Sequence, residues 1–127
     1  MGSVETESSA LETESLSPTH WVGIAAAAVS GLAHLRLGVS FAPSGLGISF
    51  LLAGVAFLVA AVLVLVDYRR RTVYAVGVPF VLVQIVAWYY LNFAAGSKSF
   101  PADVGTLGAV DKVAQVILVA VLVALLR

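Results

Sequence analysis

Four long apolar runs fill most of this chain of 127 residues and constrain its fold more than any other feature. The runs cover residues 20–42, 46–66, 74–95 and 107–126. A bilayer hydrocarbon core is about 30 Å thick and takes about 20 helical residues to cross, so each run can span it. Charged residues make up only 11% of the chain, against about 25% in a typical soluble domain. The sequence therefore predicts an all-α integral membrane protein, a bundle of four transmembrane helices.

An acidic segment rich in Glu, Ser and Thr precedes the first run. Residues 1–17 carry too little apolar surface to form a core, so we expect a disordered cytoplasmic tail before a transmembrane domain at residues 18–127. A secretory signal would begin with basic residues, so the first run is predicted to remain in the protein as a helix. Ser17 or Thr19 can cap this helix, with Pro18 in its first turn.

The connections between the runs are short and predict an up-down-up-down order. The first connection ends at Ser44 and Gly45, a tight turn that forces the first two helices into a hairpin, and Ser44 can cap the second helix. The second connection carries Arg69–Arg71, and an excess of Arg and Lys in short loops marks the cytoplasmic side. Only Lys98 opposes this assignment. We therefore predict that both termini lie on the cytoplasmic side of the plasma membrane, and the three arginines could also bind lipid headgroups.

Small residues recur at regular spacing on the first two helices. Gly23, Ala27 and Gly31 are four residues apart, and Gly47 and Gly54 are seven apart. Because hydrophobicity cannot drive association between helices within lipid, close backbone approach at small residues must contribute. We expect these faces to pack within the bundle, with a homodimer interface as the alternative.

Polar residues inside the runs gather in one half of the membrane. With the predicted topology this is the outer half, and the set comprises His34, Arg36, Gln84, Asp111 and Gln115. Intramembrane polar groups usually face the protein interior. One interpretation is a structural clasp in which Arg36 pairs with Asp111 and the amides bond across helices. The other is an outward-facing pocket for a small polar ligand, an ion or a proton. Lys112 is expected to extend to the membrane surface.

The chain has few residues that could hold a metal or a cofactor. Its two histidines, His20 and His34, are 14 residues apart, as are same-helix haem ligands in the cytochrome b family. Each haem there needs a second histidine from another helix, which only a homodimer could supply here. There is no cysteine, no phosphate-binding glycine loop and no nucleophile elbow. We predict no metal, no cofactor and no enzymatic activity.

Several motifs of the chain resemble a group of small haloarchaeal four-helix membrane proteins of unknown function. The resemblance covers residues 20–127 and lies in three places. These are residues 47–54, the segment from Asp67 to Asn92 that contains the arginines, Pro79 and Gln84, and the pattern Asp111-Lys112-x-x-Gln115. The resemblance implies a membrane protein of archaeal source and implies no activity.

Three functions remain open from the sequence. The first is a structural or accessory protein that acts through helix–helix contacts with a partner membrane subunit or a second copy, and it predicts a bundle without a sizeable cavity. The second is a small transporter, channel or sensor, which predicts a pocket around His34, Gln84 and Asp111. The third is a haem or redox carrier that works as a dimer. The lipid bilayer is an expected partner in each case, and nucleic acid is not.

Overall fold

A computed structural model describes residues 13–127, which form four long helices and no strand. We number the helices α1 (Pro18–Phe41), α2 (Gly45–Leu65), α3 (Arg70–Tyr89) and α4 (Thr106–Leu126). A π-helical turn, Tyr90–Ala94, continues α3, and a 3-10 turn, Thr13–Ser15, precedes α1. Each of the four helices, α3 together with its π turn, is long and apolar enough to cross a membrane. The predicted all-α fold with four membrane-spanning helices is confirmed to that extent.

Serine side chains start α1 and α2, as the sequence predicts. The Ser17 hydroxyl accepts the backbone N–H of His20 at 3.4 Å, and His20 Nδ1 accepts the backbone N–H of Ser17 at 3.0 Å. This reciprocal pair is a capping box with histidine in the usual Glu or Gln position. The Ser44 hydroxyl accepts the N–H of Gly47 at 3.1 Å. Both caps satisfy backbone donors that have no partner within the helix.

The acidic segment before α1 is only partly covered by the structure. Residues 1–12 of the predicted disordered tail lie outside the described residues. In the described part, Thr13–Ser15 form a 3-10 turn, and the Ser15 hydroxyl accepts a hydrogen bond of 2.7 Å from Arg70 Nη1. This bond joins the segment before α1 to the start of α3.

Helix α1 is the centre of the bundle. It packs along both α2 and α4, whereas α3 packs mainly against α4 and has few contacts with α2. Glycines allow the close approaches: a Cβ on Gly54 of α2 would lie 2.8 Å from the carbonyl oxygen of Gly31 on α1. A Cβ on Gly23 would lie 2.8 Å from a methyl carbon of Val121 on α4. The prediction that the small faces pack within the bundle is confirmed.

Candidate functional site

A buried carboxylate on α4 is the centre of a polar network. The Ser30 hydroxyl on α1 donates to Asp111 Oδ1 at 2.5 Å, and the Lys112 ammonium donates to Asp111 Oδ2 at 2.8 Å. Asp111 is only 3% exposed, and Ser30 is fully buried. A buried carboxylate is costly unless it is paired and hydrogen-bonded, and here both of its oxygens have a donor. The contact with Ser30 fixes α1 against α4.

The network continues from α4 to α3 through two amides. Lys112 Nζ also donates to Gln115 Oε1 at 2.6 Å, and Gln115 Nε2 donates to Gln84 Oε1 on α3 at 2.7 Å. The Trp88 ring lies 5.5 Å from the same ammonium, within range of a cation–π contact. The chain of bonds thus runs from α1 through α4 to α3, and α2 contributes no polar group to it.

His34 lies beside the network on α1 and is buried. Its Nδ1 donates to the Ser30 carbonyl oxygen at 2.8 Å and is 3.7 Å from Asp111 Oδ1. The imidazole ring also contacts two aromatic rings of α2, with centroids 5.6 Å from Phe50 and 5.4 Å from Phe57. The imidazole is therefore placed between the polar network on one side and the phenylalanine rings of α2 on the other. Within residues 13–127, no group of three or more metal-ligating side chains is found.

The structure brings four of the five predicted polar residues together: His34, Gln84, Asp111 and Gln115. The fifth, Arg36, is exposed, and the predicted Arg36–Asp111 pair is not formed in the described part of the chain. Lys112 takes that place, contrary to the expectation that it extends to the surface, because its flexible stem turns its ammonium towards Asp111 and Gln115. Ser30 was not predicted from the sequence as a hydrogen-bond donor to Asp111. Its position one helical turn before His34 was the available signal.

A large apolar cavity lies in the other half of the bundle, away from this network. It has a volume of about 510 Å³ and is lined by all four helices. Representative lining residues are Gly23, Ala60, Val73, Phe80, Leu118 and Leu125. None of the network residues lines it, so the pocket predicted around His34, Gln84 and Asp111 is not where this cavity lies. The cavity also contradicts the expectation of an accessory protein without a sizeable cavity.

The cavity opens sideways between α2 and α3. Val59 of α2 and Val76 of α3 both line it, yet they are 49% and 61% exposed. This opening exists because α3 packs on α4 and leaves α2 largely uncovered. At the deep end, the rings of Phe57 and Phe80 meet with centroids 5.4 Å apart. The cavity is therefore open at the side between α2 and α3 and closed at its deep end by this aromatic pair.

The other end of the cavity lies at the connection between α2 and α3, where polar side chains appear. Tyr68, Arg69 and Thr72 line it there. The neighbouring arginines serve the fold: Arg70 Nε donates to the Val64 carbonyl at 2.8 Å, and Arg71 Nη2 donates to the Leu126 carbonyl at 2.7 Å. Both contacts satisfy carbonyl groups near the carboxyl ends of helices, where a cation is favourable.

A comparison with known protein families finds a match to the chain. A model for a family of unknown function, DUF7475, matches residues 5–126. No curated protein and no solved structure matches the chain. The match covers nearly the whole chain and identifies a family without assigning an activity. The haloarchaeal source stays a prediction.

Proposed function

We propose that this chain, which belongs to the DUF7475 family of unknown function, is an accessory membrane protein that binds a lipid chain within the bilayer. It acts by binding and not by catalysis. The observation that carries the proposal is the apolar cavity of about 510 Å³ that opens between α2 and α3. Small-molecule sites are typically apolar clefts of about 300–1,000 Å³ with a few polar groups, and the cavity fits that description.

The depth of the cavity supports a single lipid chain as its occupant. The lining residues extend over residues 20–27 of α1, 56–64 of α2 and 118–125 of α4. At 1.5 Å per helical residue these segments are about 10–12 Å long. Half of a hydrocarbon core of about 30 Å is about 15 Å, so the cavity covers most of one leaflet. A chain anchored at one membrane surface would fill it and reach the Phe57–Phe80 pair.

The length of the cavity argues against a partner transmembrane helix as the occupant. The lining segments are about 10–12 Å long. A helix that crosses the membrane is about 30 Å long. A transmembrane helix has five or more turns, about 20 residues, and would contact the cavity with only a small part of its length.

The orientation that we propose places the cavity in the cytoplasmic leaflet. Arg69–Arg71 lie at the α2–α3 connection, where the cavity ends, and basic short loops stay on the cytoplasmic side. Both termini are then cytoplasmic, in the plasma membrane. The polar network falls in the outer half, where it holds α1, α3 and α4 together while α2 and α3 stay apart.

A pair of matched tryptophan substitutions tests the proposal. Ala60 lines the cavity, whereas Ala120 lies exposed on α4 outside it. We expect native mass spectrometry of the detergent-purified protein to show a retained lipid in the wild type and in Ala120→Trp. In Ala60→Trp the indole occupies part of the cavity, so the fraction of protein with a retained lipid should fall several-fold. Equal retention in the two variants would contradict the proposal, as would a wild type that retains no lipid.

A second measurement does not depend on the folding of a variant. Wild-type protein is purified from vesicles that contain a phospholipid with a photoreactive acyl chain, and the retained lipid is cross-linked after detergent exchange. We expect adducts on cavity residues such as Ala60 and Val73 and few on Val62, which faces outwards from the same helix. Adducts spread evenly over the outer surface would count against a bound lipid. The native mass also gives the number of chains in the particle.

A further inference from the structure

We infer that the occupant is an anionic phospholipid, with its headgroup on Arg69 and the polar start of its acyl chains at Tyr74. This inference rests on the proposed function, since it needs a lipid chain in the cavity. It adds the class of lipid that the site selects and the two side chains that recognise it.

Of the three consecutive arginines, Arg69 is the one whose guanidinium makes no contact that supports the fold. Arg70 and Arg71 donate to backbone carbonyl groups near the carboxyl ends of α2 and α4. The Arg69 side chain forms no hydrogen bond or ion pair with the described residues, and its guanidinium lies 5.4 Å from the Tyr68 ring centroid. It lines the mouth of the cavity and is exposed. An unpaired guanidinium at the end of an apolar cavity has the geometry and charge to bind a phosphate group bidentately.

The backbone supports this position of Arg69. Its φ angle is 51°, in the left-handed region that residues with a side chain seldom adopt. Asp67, two residues earlier, also has a left-handed φ of 56°. The connection thus turns sharply twice, which separates Arg69 from the helical arginines that follow it. The turn leaves its side chain beside the cavity while Arg70 and Arg71 bond to the helix ends.

Tyr74 is a second and independent sign of a missing polar partner. It lines the cavity and is only 6% exposed, yet its hydroxyl has no hydrogen-bond partner among the described residues. A buried hydroxyl without a partner costs free energy, and such groups in proteins usually bond to something. The ester carbonyl of a phospholipid is an acceptor of the kind that this hydroxyl lacks.

The spacing of the two residues matches a phospholipid that stands along α3. The backbone of Tyr74 lies five residues after that of Arg69, which corresponds to about 7.5 Å along the helix axis. In the orientation that we propose, Arg69 is at the membrane surface, the tyrosine begins a little more than one turn deeper, and only apolar side chains follow as far as Phe80. A phospholipid has the same order: a charged phosphate, then ester groups, then a hydrocarbon chain.

The test compares two phospholipids with identical acyl chains. The full-length protein is reconstituted in vesicles of equal parts dioleoyl phosphatidylglycerol and dioleoyl phosphatidylcholine, then extracted and analysed by native mass spectrometry. We expect the wild type to retain the anionic lipid about fivefold more often, which is the effect expected for one basic residue at an anionic surface. Arg69→Gln should bring the ratio close to one. Arg71→Gln removes the same charge two residues away and should keep the preference.

The outcomes show whether the inference fails alone or together with the proposed function. Lipid retained without preference would overturn the inference and leave the lipid-binding function standing. An equal loss of preference in Arg69→Gln and Arg71→Gln would also overturn it, since the loop would then act only as a general positive field. A particle of two chains without lipid would show that a second copy covers the cavity, and both proposals would fail.

Tyr74→Phe separates the two recognition contacts. The substitution removes only the hydroxyl and keeps the ring that packs in the core. We expect it to lower retention of both lipids by a similar factor, because both carry ester groups, while the preference for the anionic lipid remains. Unchanged retention would remove Tyr74 from the site.

Discussion

Asp111 and Lys112 are neighbours in sequence, yet both side chains belong to the same buried network. The pair shows that the surroundings of a residue determine which partner it binds. Successive residues on a helix are about 100° apart, so adjacent side chains leave the helix in different directions. The lysine overcomes this because its long stem allows the ammonium to return to the carboxylate at 2.8 Å. Arg36, which the sequence favoured as the partner, lies on an exposed part of α1.

A double-mutant cycle tests this arrangement at the level of residues. Asp111→Ala leaves the Lys112 ammonium without its carboxylate, so we expect a loss of about 3 kcal/mol in the free energy of unfolding. Arg36→Ala should cost less than about 0.5 kcal/mol, as is usual for exposed side chains without partners. The two effects should add to within about 0.5 kcal/mol, because the residues do not interact. Reversible unfolding in mixed detergent micelles gives these values, and a strong coupling would restore the Arg36–Asp111 pair.

Four members of the network were predictable from the sequence, but its other members and its connections were not. Depth in the membrane follows from position along a helix, which is why His34, Gln84, Asp111 and Gln115 could be grouped. Which donor meets which acceptor depends on the rotation of each helix and on the reach of each side chain. The hydropathy of an apolar run does not predict either the rotation or the reach. Lys112 and Ser30 were therefore not predicted as partners of Asp111.

Among the helices, α1 and α2 have the most extensive contact, and this contact depends on glycine. A Cβ added to Gly54 would lie 2.8 Å from both the Gly31 carbonyl oxygen and a carbon of the Leu35 side chain. The side chain could move, whereas the backbone carbonyl could not move without shifting α1. This contact therefore sets the distance between the two helices, as small residues do in membrane bundles.

Two glycine-to-alanine variants of α2 test this contact. Gly54→Ala should destabilise the bundle by about 1–3 kcal/mol, the usual cost of forcing extra atoms into a packed contact. Gly45→Ala is the control, because nothing lies within 4 Å of a Cβ at that position. Thermal unfolding followed by circular dichroism reports both. A Gly54→Ala protein as stable as the control would mean that the helices can separate without loss.

The extent of each helix was predictable to within a few residues, and the deviations have physical causes. The length of an apolar run reflects the thickness of the hydrocarbon core, whereas the ends of a helix are set by its backbone hydrogen bonds. The third helix was expected at residues 74–95, but it begins at Arg70, since arginine is a good helix former that the hydropathy pattern excludes. The π turn at Tyr90–Ala94 was not foreseen, because a bond from Ala95 N–H to the Tyr90 carbonyl leaves no mark in hydropathy.

For the whole molecule, the cavity is the feature that the sequence does not contain. Residues that face lipid and residues that line an apolar cavity have the same composition, so Val59 and Val62 are equivalent in the sequence. Their difference arises from the positions of α3 and α4, which depend on packing between helices far apart in sequence. The pattern could therefore establish four spans without showing where they leave a gap.

The orientation of the molecule can be tested because the chain has no cysteine of its own. Single cysteines are introduced by Ser97→Cys, in the α3–α4 connection, and by Tyr68→Cys, in the α2–α3 connection. With the arginines inside, a membrane-impermeant maleimide should label intact cells at position 97 and leave position 68 unlabelled until the cells are lysed. Labelling of position 68 in intact cells would invert the topology and place the cavity in the outer leaflet.

The hydrogen bond between Ser30 and Asp111 also has a consequence for the biogenesis of the protein. The two residues are 81 positions apart, and helices leave the ribosome in the order of the chain. While α1 and α2 can already associate through their glycines, Ser30 has no carboxylate partner until α4 is synthesised. Arrival of α4 completes the network and joins α3 to the hairpin. The polar contacts that join α1, α3 and α4 therefore cannot be complete before the fourth helix has been synthesised.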